Sequence, residues 1–203
     1  SKVMGTNPCG EILLRPNEFC NLTEVVIEAS DNLEDLIEKV TVATILGTWQ
    51  STLTNFKYIR KSWRDNCEEE RLLGVSLTGI FGNKITATNN SKLADVLDLL
   101  RIEAVLTNAQ EADKLEIPHS ASITCVKPSG TVSQLTGVSS GIHPWYSPYY
   151  LRSVRADNKD PLTTFLKDSG IPNEPDVMKP DNTTVFYFPI KAPKNAKIGR
   201  AHV

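Results

Sequence analysis

The chain reads as an α/β protein with at least part of a parallel sheet. Three observations predict this. Short apolar, β-branched runs alternate along the sequence with longer stretches whose apolar residues recur at three and four positions. The 203 residues are enough for one sizeable core and at most two small domains. The composition, 40% hydrophobic and 23% charged, is that of an ordinary water-soluble fold.

The elements follow in order. Residues 1–29 read as extended, with Ile12-Leu13-Leu14 and Leu22 to Ile27 as strand runs around the turn-like Arg15-Pro16-Asn17-Glu18. Asp31 or Asn32 is placed to cap a helix bearing Leu33, Leu36, Ile37, Val40, Ala43 and Leu46 on one face. Trp49, Leu53 and Phe56 continue that face or begin a second helix. Arg71 to Gly82 is apolar and glycine-punctuated, and periodicity leaves strand-then-turn and helix start both open. Ser91 is the expected N-cap of a long helix through Leu93, Val96, Leu97, Leu100, Ala104 and Val105. Ala121 to Val126 reads as a buried strand. Pro161 to Lys167 reads as a helix with Pro161 at its first turn and Gly170 at its end. Thr183 to Phe188 reads as a strand ended by Pro189, and residues 171–182 as a loop.

A net charge of −2 implies no general attraction to nucleic acid or to an anionic membrane. No apolar run approaches the roughly 20 residues that span a bilayer. Ser1-Lys2-Val3-Met4-Gly5 has no leader pattern, so the default compartment is the cytoplasm. Cys9, Cys20, Cys67 and Cys125 form no Cys-x-x-Cys pair, and free thiols are expected in a reducing compartment. Ile198-Gly199-Arg200-Ala201-His202-Val203 matches one reading frame of a common sequencing adapter. Residues 198–203 are therefore expected to be a non-native tail on a body of residues 1–197.

The chemistry concentrates in Asn7-Pro8-Cys9-Gly10-Glu11. Pro8 biases Asn7 toward extended geometry, and in an extended chain residues i, i+2 and i+4 face one way. An amide, a thiol and a carboxylate then meet one ligand, and Gly10 lets it approach closely. A thiyl radical can take a hydrogen atom reversibly from a C–H bond activated by an adjacent oxygen. A carboxylate can take the neighbouring hydroxyl proton, and an amide can hold a hydroxyl. Alone, such a pentapeptide is a weak signal, because a lone cysteine is usually a small core residue.

The pentapeptide resembles the finger-loop motif of ribonucleotide reductases. Trp63-Arg64-Asp65-Asn66, Glu70 to Ile80, Ile123 to Leu135, Ser139-Ser140-Gly141-Ile142-His143-Pro144 and Tyr149 to Arg155 are similar to the adenosylcobalamin-dependent (class II) enzymes, in their monomeric ribonucleoside-triphosphate branch. The similarity runs to about residue 195. It implies that Cys9 is the thiyl-radical site, Glu11 the base on the 3'-hydroxyl, and Asn7 a substrate-hydroxyl ligand. Cys20 would be one of two reductant cysteines, its partner lying in a missing N-terminal half. The implied fold is a ten-stranded α/β barrel with a central finger loop, of which this chain would supply roughly the second half. The implied cofactor is adenosylcobalamin, the substrate a ribonucleotide and the reductant thioredoxin or a similar dithiol.

Lys127-Pro128-Ser129-Gly130-Thr131-Val132-Ser133 follows an expected strand and lacks the spacing of a Walker A loop. It resembles the reductase segment that cradles substrate phosphates, which implies that role for Ser129, Gly130, Thr131 and Val132. A plain strand-to-helix turn has the same composition. His143, Tyr149 and Tyr150 read as structural, and Cys67 and Cys125 as buried inert thiols. Two rival readings stay open. One is the same reaction with the radical made by a separate metal subunit, and the other is a noncatalytic nucleotide-binding module.

Overall fold

A computed structural model describes residues 4–87, 91–194 and 196–199. Residues 200–203, most of the expected foreign tail, lie outside the described residues. The chain divides into two compact units, 1–144 and 145–203.

The first unit opens with a short antiparallel hairpin, β1 (Gly5–Thr6) against β2 (Leu13–Leu14). β3 (Asn21–Val26) and β4 (Leu73–Thr78) then pair in parallel, Asn21 opposite Leu73 through Val26 opposite Thr78. Helix α1 (Leu33–Gln50) connects them, so this is a strand–helix–strand unit. Asn32 caps α1: its Oδ1 accepts from the N–H groups of Glu34 and Asp35, and Asp35 returns a bond to the Asn32 N–H. The helix ends at Gln50, short of Leu53 and Phe56. After β4, Gly79 adopts φ +82° and leads into a 3-10 turn over Ile80–Gly82, so the strand-then-turn alternative holds for residues 71–82.

Alternation along β4 sorts the two faces of the sheet. Leu73 and Val75 join Val25, Ile27, Leu36, Val40, Ala43, Leu100 and Ala104 in the core, with Leu77 packed against it. The last two of the fully buried set belong to α3 (Ser91–Lys114). Ser91 is thus the first residue of its helix rather than the flanking cap, and the residues just before it lie outside the described set. α1 approaches the sheet closely at Gly47, where an added Cβ would meet Leu73 Cδ2 at 2.8 Å. Buried Asn108 is satisfied by Thr48 and Ser120. Gly74, Ser76 and Thr78 point to the opposite face, away from the helices.

One expectation needs correction here. Ala121 to Val126 is not a buried strand. Only Thr124 bridges β4, in parallel with Val75, and the exposed positions Ala121, Ser122, Thr124 and Val126 alternate in part with half-buried Ile123 and Cys125. The run hydrogen-bonds β4 on one side and has no strand on the other among the described residues, so half its surface stays wet. Outside any stated expectation, α2 (Lys61–Glu70) is a helix that apolar spacing does not announce, since Trp63 and Cys67 are the apolar residues on its packed face.

The second unit is a three-stranded antiparallel sheet. β5 (Tyr149–Asp157) pairs with β7 (Thr183–Lys191), which pairs on its other side with the three-residue β6 (Asn173–Pro175). Helix α5 (Pro161–Asp168) is capped by Asp160, with Pro161 in its first turn and Gly170 at φ +75°. β7 runs through Pro189 rather than stopping there. β6 reaches only Thr184–Phe186, so among the described residues one side of β7 is open at Pro189 and no ladder partner is lost. β6 itself lies in the stretch expected to be loop. Ile198 bridges Trp145 in parallel. Among the described residues no helix is long and apolar enough to cross a membrane.

Candidate active site

The motif residues sit in the turn of the β1–β2 hairpin. Gly10 N–H donates to the Asn7 carbonyl at 3.0 Å, and Asn7 N–H donates to the Ile12 carbonyl at 3.2 Å. Gly10 has φ +77°, which glycine adopts without strain. Residues 7–11 are therefore a tight turn and not an extended run. The same-face argument for Asn7, Cys9 and Glu11 fails, because a turn breaks the period of two. Asn-Pro-x-Gly is itself turn composition, and that signal was available in the sequence.

The turn assigns each residue its own direction. Asn7 is 8% exposed, and its Oδ1 accepts from the Ile12 N–H at 3.1 Å. Cys9 is exposed at the tip. Both carboxylate oxygens of Glu11 are shielded from solvent and accept no hydrogen bond from the described residues. A carboxylate in that state is costly unless something else meets it.

Ile12, 5% exposed, docks the hairpin onto the helix-free face of the sheet. It lands at Gly74. A Cβ on Gly74 would lie 2.4 Å from Leu22 Cδ2, 3.1 Å from Cys125 Sγ and 3.3 Å from Ile12 Cδ1. The missing side chain thus leaves a pit that these three fill. Cys20, two residues before Leu22, precedes β3 on the same side by strand alternation.

Burial pushes the Cys20 thiol above its ordinary value, with the Glu11 charge adding to the effect. Cys125 goes up to about 11, again by burial first and then by Glu11 and Cys20. The shared electrostatics put Glu11, Cys20 and Cys125 in one neighbourhood. Cys125, read from sequence as an inert core thiol, is instead half-buried on the wall of this site. Cys67 is buried as expected, and burial raises it too. At pH 8 a thiol at about 11 holds roughly a hundredfold less thiolate than one at the ordinary 9.0. Iodoacetamide at that pH is expected to label exposed Cys9 first and Cys125 far behind, as followed by peptide mass spectrometry. Equal labelling would contradict the enclosure of Cys125.

The candidate phosphate loop is hung from the far end of β4. Thr78 Oγ1 accepts from the Gly141 N–H at 2.7 Å. Neighbouring Ser140 Oγ accepts from the Ser129 N–H at 3.0 Å and donates to the Ser129 carbonyl at 2.7 Å. Gly141, at φ +52°, lies so close to Lys127 that a Cβ would meet its carbonyl oxygen at 2.7 Å. Ser129 Oγ accepts from the Ser133 N–H, opening the single-turn helix α4 (Val132–Leu135). Ser129 is therefore a loop-closing residue whose own N–H is occupied. The N–H groups of Gly130, Thr131 and Val132 have no acceptor among the described residues. His143 is exposed and leans on the Ser140 carbonyl. Among the described residues no group of three or more His, Cys, Asp or Glu side chains could hold a metal ion.

No family model matches the sequence. The adenosylcobalamin-dependent ribonucleoside-triphosphate reductase of Lactobacillus gasseri is 35% identical over 94% of this chain, and that of Lactobacillus leichmannii is 33% identical over 94%. The matched region is 28% and 29% of those relatives, so the chain spans under a third of their length. A crystal structure of a B-12 dependent (class II) ribonucleotide reductase superposes with a TM-score of 0.74 at 29% identity, covering 94% of this chain and 30% of that one.

Proposed function

We infer that this chain, similar over 94% of its length to adenosylcobalamin-dependent ribonucleoside-triphosphate reductases, is part of such an enzyme and reduces ribonucleotides to 2'-deoxyribonucleotides. The observation that carries the reading is the hairpin turn, which presents an exposed Cys9 beside a Glu11 carboxylate that is shielded from solvent and has no hydrogen-bond partner among the described residues. The β1–β2 hairpin corresponds to the finger loop of a ten-stranded α/β barrel, and this chain supplies roughly its second half.

The residues present fit a radical-generating cofactor in one respect. Cys9 is exposed, so a radical formed outside this chain can reach its sulfur. Adenosylcobalamin, when bound, supplies that radical by homolysis of its cobalt–carbon bond. Cys9 then takes the 3'-hydrogen atom of the sugar. Glu11 takes the 3'-hydroxyl proton as general base, and the Asn7 amide nitrogen holds a substrate hydroxyl. The 2'-hydroxyl leaves as water, taking a proton from the reductant thiol pair, and the proton held on Glu11 returns to the 3'-oxygen as the sugar is reduced. Cys20 and a partner thiol in the N-terminal part of the protein supply two electrons and end as a disulfide. Cys9 returns its hydrogen, and thioredoxin or a similar dithiol reopens the disulfide. Burial keeps Cys20 as S–H, the form that can give up hydrogen. The free N–H groups of Gly130, Thr131 and Val132 take the substrate phosphates, as backbone amides do at other anion sites; the hydroxyl and main chain of Ser129 hold that loop closed.

The test is stopped-flow absorbance on the full-length protein carrying this chain, mixed with adenosylcobalamin, a ribonucleoside triphosphate and dithiothreitol. Cobalt–carbon cleavage and deoxynucleotide formation are the expected results. Deoxynucleotide made without cobalamin would point to a metal-subunit radical. Nucleotide binding without any product would leave a noncatalytic module.

A further inference from the structure

α2 carries Trp63, Asn66, Cys67 and Glu70 at i, i+3, i+4 and i+7, which puts them on one helix face. All four meet the stretch from Arg15 to Phe19, the residues just before Cys20. Asn66 Nδ2 donates to the carbonyls of Pro16 at 2.9 Å and Asn17 at 3.2 Å. Arg15 donates to the Asn66 carbonyl at 3.3 Å and pairs through Nε with Glu70 at 2.9 Å. Cys67 Sγ accepts from the Phe19 N–H at 3.3 Å. The Phe19 ring stacks on Trp63 with centroids 4.4 Å apart, and Phe56 meets it edge-on at 5.3 Å. Asn17 sits at φ +63°, a conformation that the surrounding contacts must hold.

Immediately after Cys20 the main chain is fixed again. The Asn21 N–H donates to the Leu72 carbonyl at 2.8 Å, and Asn21 Nδ2 donates to the same oxygen at 3.0 Å. One residue therefore separates the α2 contacts from the β3–β4 ladder, and that residue is Cys20.

We propose that α2 is a clamp that positions Cys20, with the buried Cys67 sulfur as its central contact. Cys67 is then a positioning residue: it grips the Phe19 N–H so that the next side chain is delivered, enclosed, to the helix-free face of the sheet beside Glu11. The Trp63–Phe19 stack fixes the sideways placement of the same peptide, and Asn66 fixes the turn that precedes it. The consequence for chemistry rests on Cys20 being the reductant thiol, whereas the clamp itself can be measured without that premise.

The measurement is iodoacetamide labelling of each cysteine in the full 203-residue chain between pH 7 and 10, read by peptide mass spectrometry. Cys67→Ala removes the acceptor and frees Phe19. Labelling of Cys20 at pH 8 is expected to speed up about threefold to tenfold, with its pH midpoint moving down toward that of an exposed thiol, because enclosure is what holds it up. Cys67→Ser keeps an acceptor for the Phe19 N–H and is expected to restore the slow rate and the high midpoint. Glu11, Glu18, Cys67 and Cys125 all bear on Cys20 or its neighbours, so the serine comparison isolates the hydrogen bond from the loss of a nearby thiol. Cys125, whose sulfur lies at Gly74 on β4, is the internal check that the sheet is intact. Should it also accelerate in Cys67→Ala, Asn66→Ala decides, as it cuts the half-buried end of the clamp and is expected to speed Cys20 labelling with Cys125 unchanged. An unchanged Cys20 in a folded variant, or a serine variant as fast as the alanine one, overturns the clamp. Turnover of Cys20→Ser in the full-length protein separately tests whether Cys20 delivers electrons.

Discussion

A full-length protein carrying Cys9→Ser is expected to lose ribonucleotide reduction by more than about 10³-fold while its nucleotide affinity stays within about twofold, the pattern left by removing a group that reacts covalently. An O–H bond is considerably stronger than an S–H bond, so a serine at the tip cannot be turned into the hydrogen-abstracting radical. Nothing else in the site compensates. Cys20 and Cys125 lie behind the hairpin and are held as thiols by burial. The substitution adds no strain, because Cys9 is exposed and its neighbour Gly10 carries the turn's positive φ. The loss should therefore appear in product formation and not in the urea midpoint. Substrate phosphates would still find the amides of Gly130, Thr131 and Val132. Residual turnover above a tenth of wild type would remove Cys9 from the mechanism. A parallel loss of nucleotide binding would mean that the turn had collapsed.

Gly74→Ala should unseat the hairpin. Its Cβ would stand 2.4 Å from Leu22 Cδ2 and 3.1 Å from Cys125 Sγ, so at least one neighbour has to move. Leu22 belongs to the β3 ladder and has little room. Ile12 is the easier to displace, and it is the anchor of the hairpin. A destabilisation of about 1–3 kcal/mol, the range for overfilling a packed site, is expected in urea unfolding. A drop in activity beyond what unfolding explains should accompany it, since Glu11 precedes Ile12 directly. Gly82→Ala is the control: a Cβ there meets nothing within 4 Å, so its midpoint should hardly change. Wild-type stability and activity in Gly74→Ala would show that the pit does not seat the loop.

How much of this was legible depended on how local the controlling interaction was. The Asn32 cap, the Pro161–Gly170 bounds of α5 and the β3 strand each follow from residues within a few positions, and each appears where expected. α2 did not, because Lys61–Glu70 is dominated by charge and owes its place to distant Arg15, Pro16 and Phe19. Cys125 was misjudged for the same reason. Its surroundings are Gly74, Leu22 and Ile12, between about 50 and 115 positions away. The residues of the motif were legible, but their arrangement was not: counting by twos suited a strand, whereas Pro8 and Gly10 build a turn. Ala121 to Val126 has strand composition, yet it lacks a second neighbour among the described residues, and burial is conferred by neighbours.

Gly74 and Thr78 lie four residues apart on one face of the same strand. One seats the hairpin, and the other suspends the loop that closes on Ser129. A parallel strand advances about 3.3 Å per residue, so β4 acts as a ruler about 13 Å long between them. Its graduations are whole residues. Deleting or inserting one would change the span by a full step and also turn every later side chain to the wrong side. The separation between the hairpin turn and the loop that closes on Ser129 can thus be altered only in jumps, which makes this short strand far less tolerant of length variation than the loops it joins.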